Sequence, residues 1–180
     1  MSFKKILMLG GAVAVMTSGA ILHQAKAATD TLGIDAVIVT PLALNCNQNL
    51  DFGDIDAAAG GDVLVAPDGS RTEVGGAELV GGATGVEGEC ALTGDTTLAY
   101  NVTIPPTTVT GPGPAMVVDD FLVSDDGGAT STNATTGTFS SNLVAGAATL
   151  SIGATLAVAA APGQTPGVYA GTVTVTAVYQ

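Results

Sequence analysis

The sequence has no tryptophan, one histidine (His23) and only 4 lysines and arginines together in 180 residues, and aromatics make up 4% of it. Three of those cations, Lys4, Lys5 and Lys26, share the N-terminal stretch with His23, so the remainder carries a single cation, Arg71, against 16 acids. Each shortage excludes a class of function. Without imidazole or amine side chains past Lys26, Ser–His–Asp, Cys–His and Ser–Lys arrangements cannot be built within this chain. Ordinary zinc and copper sites lack their imidazole ligands. One cation against 16 acids, a net charge of −15 over residues 28–180, cannot neutralise phosphates, which excludes nucleic-acid binding. The same charge gives no attraction to an anionic membrane surface. Only carboxylate chemistry is left. Paired Asp/Glu could hydrolyse glycosides, but no catalytic groove can be picked out and aromatic sugar platforms are scarce. No enzyme activity, cofactor or metal is expected.

The N-terminus reads as a leader. Lys4 and Lys5 form a positive n-region, residues 6–22 an apolar run interrupted by Gly10, Gly11, Thr17, Ser18 and Gly19, and Ala25-Lys26-Ala27 a small-x-small cleavage site. Cleavage is expected after Ala27. A membrane anchor is the competing reading, but the run is short and weak in its middle, so no stable anchor is expected. Cys is absent from the cleavage point, which argues against a lipid anchor. Removing 27 of 180 residues leaves 153, enough for one domain with a real core. The expected organisation is a leader at 1–27, an N-terminal strand or extension at 28–44 and one domain at 45–180.

Two cysteines, Cys46 and Cys90, in an exported chain read as one disulfide made in an oxidising compartment, with two free buried thiols as the alternative. A bridge over that 44-residue separation would stabilise by roughly 3–4 kcal/mol on the chain-entropy account.

Period-two alternation runs through the rest. Residues 167–180, GVYAGTVTVTAVYQ, place Tyr169, Gly171, Val173, Val175, Ala177 and Tyr179 on one face and Val168, Thr172, Thr174, Thr176 and Val178 on the other. Such a regular, β-branched run is a strand that needs a partner. In residues 28–44, Leu32, Ile34, Ala36 and Ile38 alternate on one face, and Val37 and Val39 fill the other, as if the segment entered a buried sheet. Residues 50–55 read as a short bulged strand, and DVLVA and RTEV, set between Gly-Gly pairs, as small hairpins or a ragged edge. Residues 97–104 point Leu98, Tyr100, Val102 and Ile104 inward until Pro105-Pro106 ends the strand. Residues 115–124 form another strand, bent near Asp119-Asp120, and 125–137 a polar loop. Residues 143–161 hold no charge, which admits a helix or a membrane helix. Alternation of Leu150, Ile152, Ala154, Leu156 and Val158, with Gly146 and Gly153, favours two strands or one bent strand. Many short strands between Gly/Pro turns point to an all-β sandwich, ahead of an up-and-down barrel.

Asp51-Phe52-Gly53 matches the kinase metal-binding tripeptide, but nothing else of that signature is present. Asp51, Asp54, Asp56 and Asp62 could offer oxygen ligands to calcium, yet their spacing does not fit an EF-hand loop. Acids at turns more often bond locally.

Gly167, the alternation after it and the penultimate Tyr179 resemble the C-terminal strand signature of chaperone–usher pilins. An apolar extension ahead of Cys46 and its partner Cys90 agree with that likeness. The order VIVTPLALNCNQNLDFGDI, GSRTEVGG, GVYAGTVTVTAVYQ also resembles the domain of unknown function 4402 family of exported bacterial proteins, which is similar to archaic-type pilins. The pilin resemblance implies an immunoglobulin-like/pilin-like β-sandwich with one disulfide, missing one strand. A periplasmic chaperone would fill the groove until another copy's extension replaced it, with an outer-membrane usher assembling a surface fibre. Leu32, Ile34, Ala36 and Ile38 would be donor side chains. The strand carrying Gly167, Tyr169, Val173, Val175 and Tyr179 would border the acceptor groove, with main-chain hydrogen bonds and side-chain pockets sharing the binding. The implied location is the periplasm, cell surface or an extracellular fibre. The alternative is a self-contained secreted sandwich that binds calcium or glycan, its N-terminal segment completing its own sheet.

Overall fold

The computed structural model describes residues 26–80 and 85–180. The leader expected at 1–27 falls almost wholly outside them, as does the Gly81-Gly82 pair. The chain divides into Met1–Val37 and Ile38–Gln180. In the first unit the described residues, 26–37, are exposed and form no strand.

The second unit holds every strand of the described residues: β1 (Ala43–Gln48), β2 (Ile55–Asp56), β3 (Gly61–Val65), β4 (Arg71–Val74), β5 (Glu78–Leu79), β6 (Gly88–Thr93), β7 (Ala99–Thr103), β8 (Thr107–Val109), β9 (Met116–Ser124), β10 (Thr132–Asn133), β11 (Phe139–Asn142), β12 (Ala147–Val158) and β13 (Thr176–Tyr179). No helix occurs among the described residues. One sheet runs β1-β6-β12-β3-β4, with β9 on the other edge of β12 and β8 and β10 on β9; a second runs β11-β7-β13; β2 and β5 pair alone. Side chains from the two larger sheets, among them Leu92, Leu150 and Phe121 from one and Tyr100, Val102 and Phe139 from the other, form a single core. The protein is therefore an all-β sandwich, and Cys46 and Cys90, directly opposed on β1 and β6, close its disulfide.

Several elements follow the alternation read from the sequence. Tyr100, Val102 and Ile104 are wholly buried. The Tyr100 ring packs tilted on Phe139 with centroids 6.2 Å apart, a favourable aromatic arrangement. Burial first, then the Asp125 carboxylate that accepts the Tyr100 hydroxyl at 3.1 Å, push this phenol up and keep it a neutral donor. DVLVA and RTEV form the β3–β4 hairpin. The bend near Asp119-Asp120 is a bulge in β9. There the register against β12 shifts between Gly153 and Thr155, and Asp120 takes a positive φ of 47°, a conformation aspartate tolerates. The bulge aims Phe121 into the core.

The uncharged stretch after Leu143 forms one long strand, β12, which organises the larger sheet. Residues 147–152 pair with β6 and 154–158 with β3 along one edge, while 151–156 pair with β9 along the other. The change from β6 to β3 happens at Gly153, where an added Cβ would lie 2.2 Å from the Val65 carbonyl oxygen. No side chain fits there.

Three expectations are corrected. Residues 50–55 do not make a strand: Asp51 forms a lone bridge to Val86, Gly53 turns with φ 66°, and only Ile55–Asp56 pairs, with β5. The loop after Ser124 contains the short β10. The third concerns residues 28–44, where strand begins only at Ala43. Alternation encodes the capacity to pair, and within the second unit residues 38–42 join no strand.

Because the obstacle at Gly153 is backbone, Gly153→Ala should destabilise the domain by about 1–3 kcal/mol, read as a lower urea midpoint. An unchanged midpoint would contradict the strand hand-off described here.

Candidate functional site

Among the described residues the last strand is bound along one edge only. Its final part, β13, pairs with β7, with Tyr179 opposite Tyr100, and the Gln180 N–H donates to the Ala99 carbonyl at 3.0 Å. Its first part is held at Ala170, which exchanges both backbone hydrogen bonds with Thr110 at 2.9 and 3.0 Å. Extending the two registers sets residues 171–175 opposite Ile104 to Val109, where Pro105 and Pro106 carry no N–H. The strand expected over 167–180 is thus split by its partner's prolines. Across the gap the Thr107 hydroxyl donates to the Thr172 carbonyl at 2.9 Å in place of a ladder bond.

Alternation then fixes what the other edge presents. The backbone groups of Ala170 and Gln180 point at the β7 side, so those of the odd residues between them, Gly171 to Tyr179, point away from it. Among the described residues no strand pairs with that edge. No charge or proline lies in 167–180, the devices that usually blunt an exposed edge.

The odd side chains lie over the core without being enclosed. Tyr169, Val173, Val175 and Ala177 are half-buried and pack on the core, and so do Leu42, Leu44, Leu50, Phe52 and Ile55 from β1 and the chain on either side of it. Strand β1 ends its own sheet, and its outer edge is also unpaired among the described residues. Two open edges therefore border a core that is only partly covered along both. The Tyr169 ring lies against Gly111, and its hydroxyl donates to the Thr165 carbonyl at 2.8 Å. Gly167, with φ 150°, packs on Pro112 just before this strand.

The two edges meet at Tyr179. Its hydroxyl accepts the Asp95 N–H at 2.6 Å and donates to the Thr40 carbonyl at 2.7 Å. The Thr40 N–H donates to Asp95 Oδ2 at 3.4 Å. A Cβ at position 94 would lie 2.2 Å from Tyr179 Oη and 2.9 Å from Leu42 Cδ1, so a glycine is needed beneath the phenol. Pattern reading picks out Tyr179 but not Thr40, Gly94 or Asp95. Their one local signal is an Asx turn, in which Asp95 Oδ1 accepts the Thr97 N–H at 2.8 Å.

The donor-type residues lie elsewhere in character. Leu32, Ile34 and Ile38 are 88%, 87% and 97% exposed, and Ala36 is exposed as well. The acids considered for calcium bond locally: Asp51 Oδ1 accepts the Gly53 N–H and Asp56 Oδ1 the Ala58 N–H, each at 2.8 Å. Among the described residues no three His, Cys, Asp or Glu side chains gather to hold a metal ion.

Residues 42–179 match the family model described as Domain of unknown function (DUF4402). No curated protein and no solved structure matches the chain.

The Thr97 hydroxyl and then its N–H hold the Asp95 carboxyl below the usual range, and the Thr40 N–H adds to this. A depressed carboxyl pKa means that these contacts are intact above the ordinary value and lost as pH falls through the depressed one. In an NMR titration the Thr40 and Thr97 amide signals should move together below the ordinary aspartate value of about 3.9. A Thr40 signal that ignores the Asp95 transition would contradict the contact.

Proposed function

The chain belongs to the DUF4402 family, whose description assigns no activity, and on that premise we propose that it is a non-catalytic, exported structural subunit that associates by β-strand donation. The observation that carries this reading is the pairing of an unblunted backbone edge with a half-covered core on one side, and an exposed alternating apolar segment on the other. The occupant of the edge is residues 28–39 of a second copy. The N–H and C=O groups of the odd residues from Gly171 to Tyr179 offer the ladder. Leu32, Ile34, Ala36 and Ile38, spaced two apart, supply the side chains that cover the core. Burying each of Leu32, Ile34 and Ile38 would contribute about 1.5–3 kcal/mol. The family resemblance adds a periplasmic chaperone and an outer-membrane usher as partners and a surface fibre as the product, consistent with a disulfide made in an oxidising compartment.

A self-contained calcium- or glycan-binding sandwich has less support. Asp51 and Asp56 spend a carboxylate oxygen on their own turns.

Purified protein should run as a ladder on unheated gels and as one band after boiling. Because Ile34 and Ile38 are exposed in the subunit, Ile34→Asp with Ile38→Asp should abolish the ladder while changing subunit stability by less than about 0.5 kcal/mol. A ladder that survives this double substitution would sink the proposal.

Assembly should also respond to salt in an unusual direction. Copies carrying one cation against 16 acids after Lys26 repel one another, so raising ionic strength should speed association through screening. Slower association at higher salt would mean that charge attraction, not apolar strand insertion, drives the contact.

A further inference from the structure

Thr40 is the last residue before Pro41 and β1, and both of its backbone polar groups are committed. The carbonyl accepts from Tyr179 Oη at 2.7 Å and the N–H donates to Asp95 Oδ2 at 3.4 Å. In an extended strand the N–H and C=O of one residue face the same neighbour. Thr40 therefore cannot lend its N–H or C=O to a backbone ladder while these contacts hold. Its partners are two side-chain groups, a phenol and a carboxylate, and neither can continue a backbone ladder into residues 28–39.

We infer that Tyr179, seated on Gly94 and bridging Thr40 to Asp95, is a positioning residue that stops the subunit from zipping residues 28–39 onto its own last strand, and so reserves that segment for a second copy. The inference rests on the strand-donation reading and adds the element that chooses between pairing within and between copies. Three observations support it beyond the hydrogen bonds. The phenol occupies the space that any Cβ at position 94 would take. Ile38, two residues before Thr40, is 97% exposed. No charge or proline in 167–180 would otherwise prevent self-pairing. Closing so short a connection within one chain costs little loop entropy. Without a block, the intramolecular product would therefore form ahead of the intermolecular one.

The test is Tyr179→Phe in the full chain, which keeps the ring and removes both hydrogen bonds, with Gly94→Ala as a second variant that displaces the phenol sterically. Amide exchange of residues 32–38 is read in the dilute, monomeric protein, and the monomer fraction in concentrated protein. Wild-type monomer should exchange freely over 32–38. Both variants should gain at least tenfold protection there and shift towards monomer, with thermal midpoints above the assay temperature. Variants whose residues 32–38 exchange as freely as wild type, at an intact fold, would overturn the inference. Failure of the underlying proposal looks different: wild-type protein would remain monomeric at every concentration, whatever Tyr179→Phe does to exchange.

Discussion

The backbone edge of the last strand constrains everything around it. Its even residues are bonded to Thr110 at one end and to β7 at the other, and its odd residues carry their N–H and C=O groups outward while laying Tyr169, Val173, Val175 and Ala177 over the core. A strand in this position has polar groups to satisfy and apolar surface to cover in a single direction. Long β12 takes three neighbours, and the bulge in β9 turns Phe121 inward. Among the described residues the outer edges of the last strand and of β1 have no strand partner, and strand donation, as proposed, would supply one to the last strand.

Chemistry is otherwise sparse. The carboxylates held below their usual range serve turns: Asp126, brought down to about 2 by the Ser124 hydroxyl and then by the Thr130 N–H and hydroxyl, organises its own loop. Asp68, lowered by Ser70, does the same in the β3–β4 hairpin. These groups stiffen connections. They do not converge on a shared cavity.

Local pattern carried the architecture well. Tyr100, Val102 and Ile104 alternate in sequence and are buried together; the run containing Leu150 to Val158 is a strand despite its hydropathy. What pattern could not show is non-local. The gap in the last strand is caused by Pro105 and Pro106 on a different element. The exposure of Leu32, Ile34 and Ile38 depends on where an edge lies, not on their spacing. The contact between Tyr179 and Thr40 joins residues 139 apart in sequence, and neither residue type announces it. Alternation thus identifies both surfaces of the proposed contact but is silent on whether they meet within one copy or between two.

That distinction is the central claim, and amide exchange of residues 32–38 across a concentration series measures it directly. Free exchange is expected in dilute monomer and strong protection in the associated species, in step with its population. Protection already complete in the monomer, or free exchange within the oligomer, would contradict it.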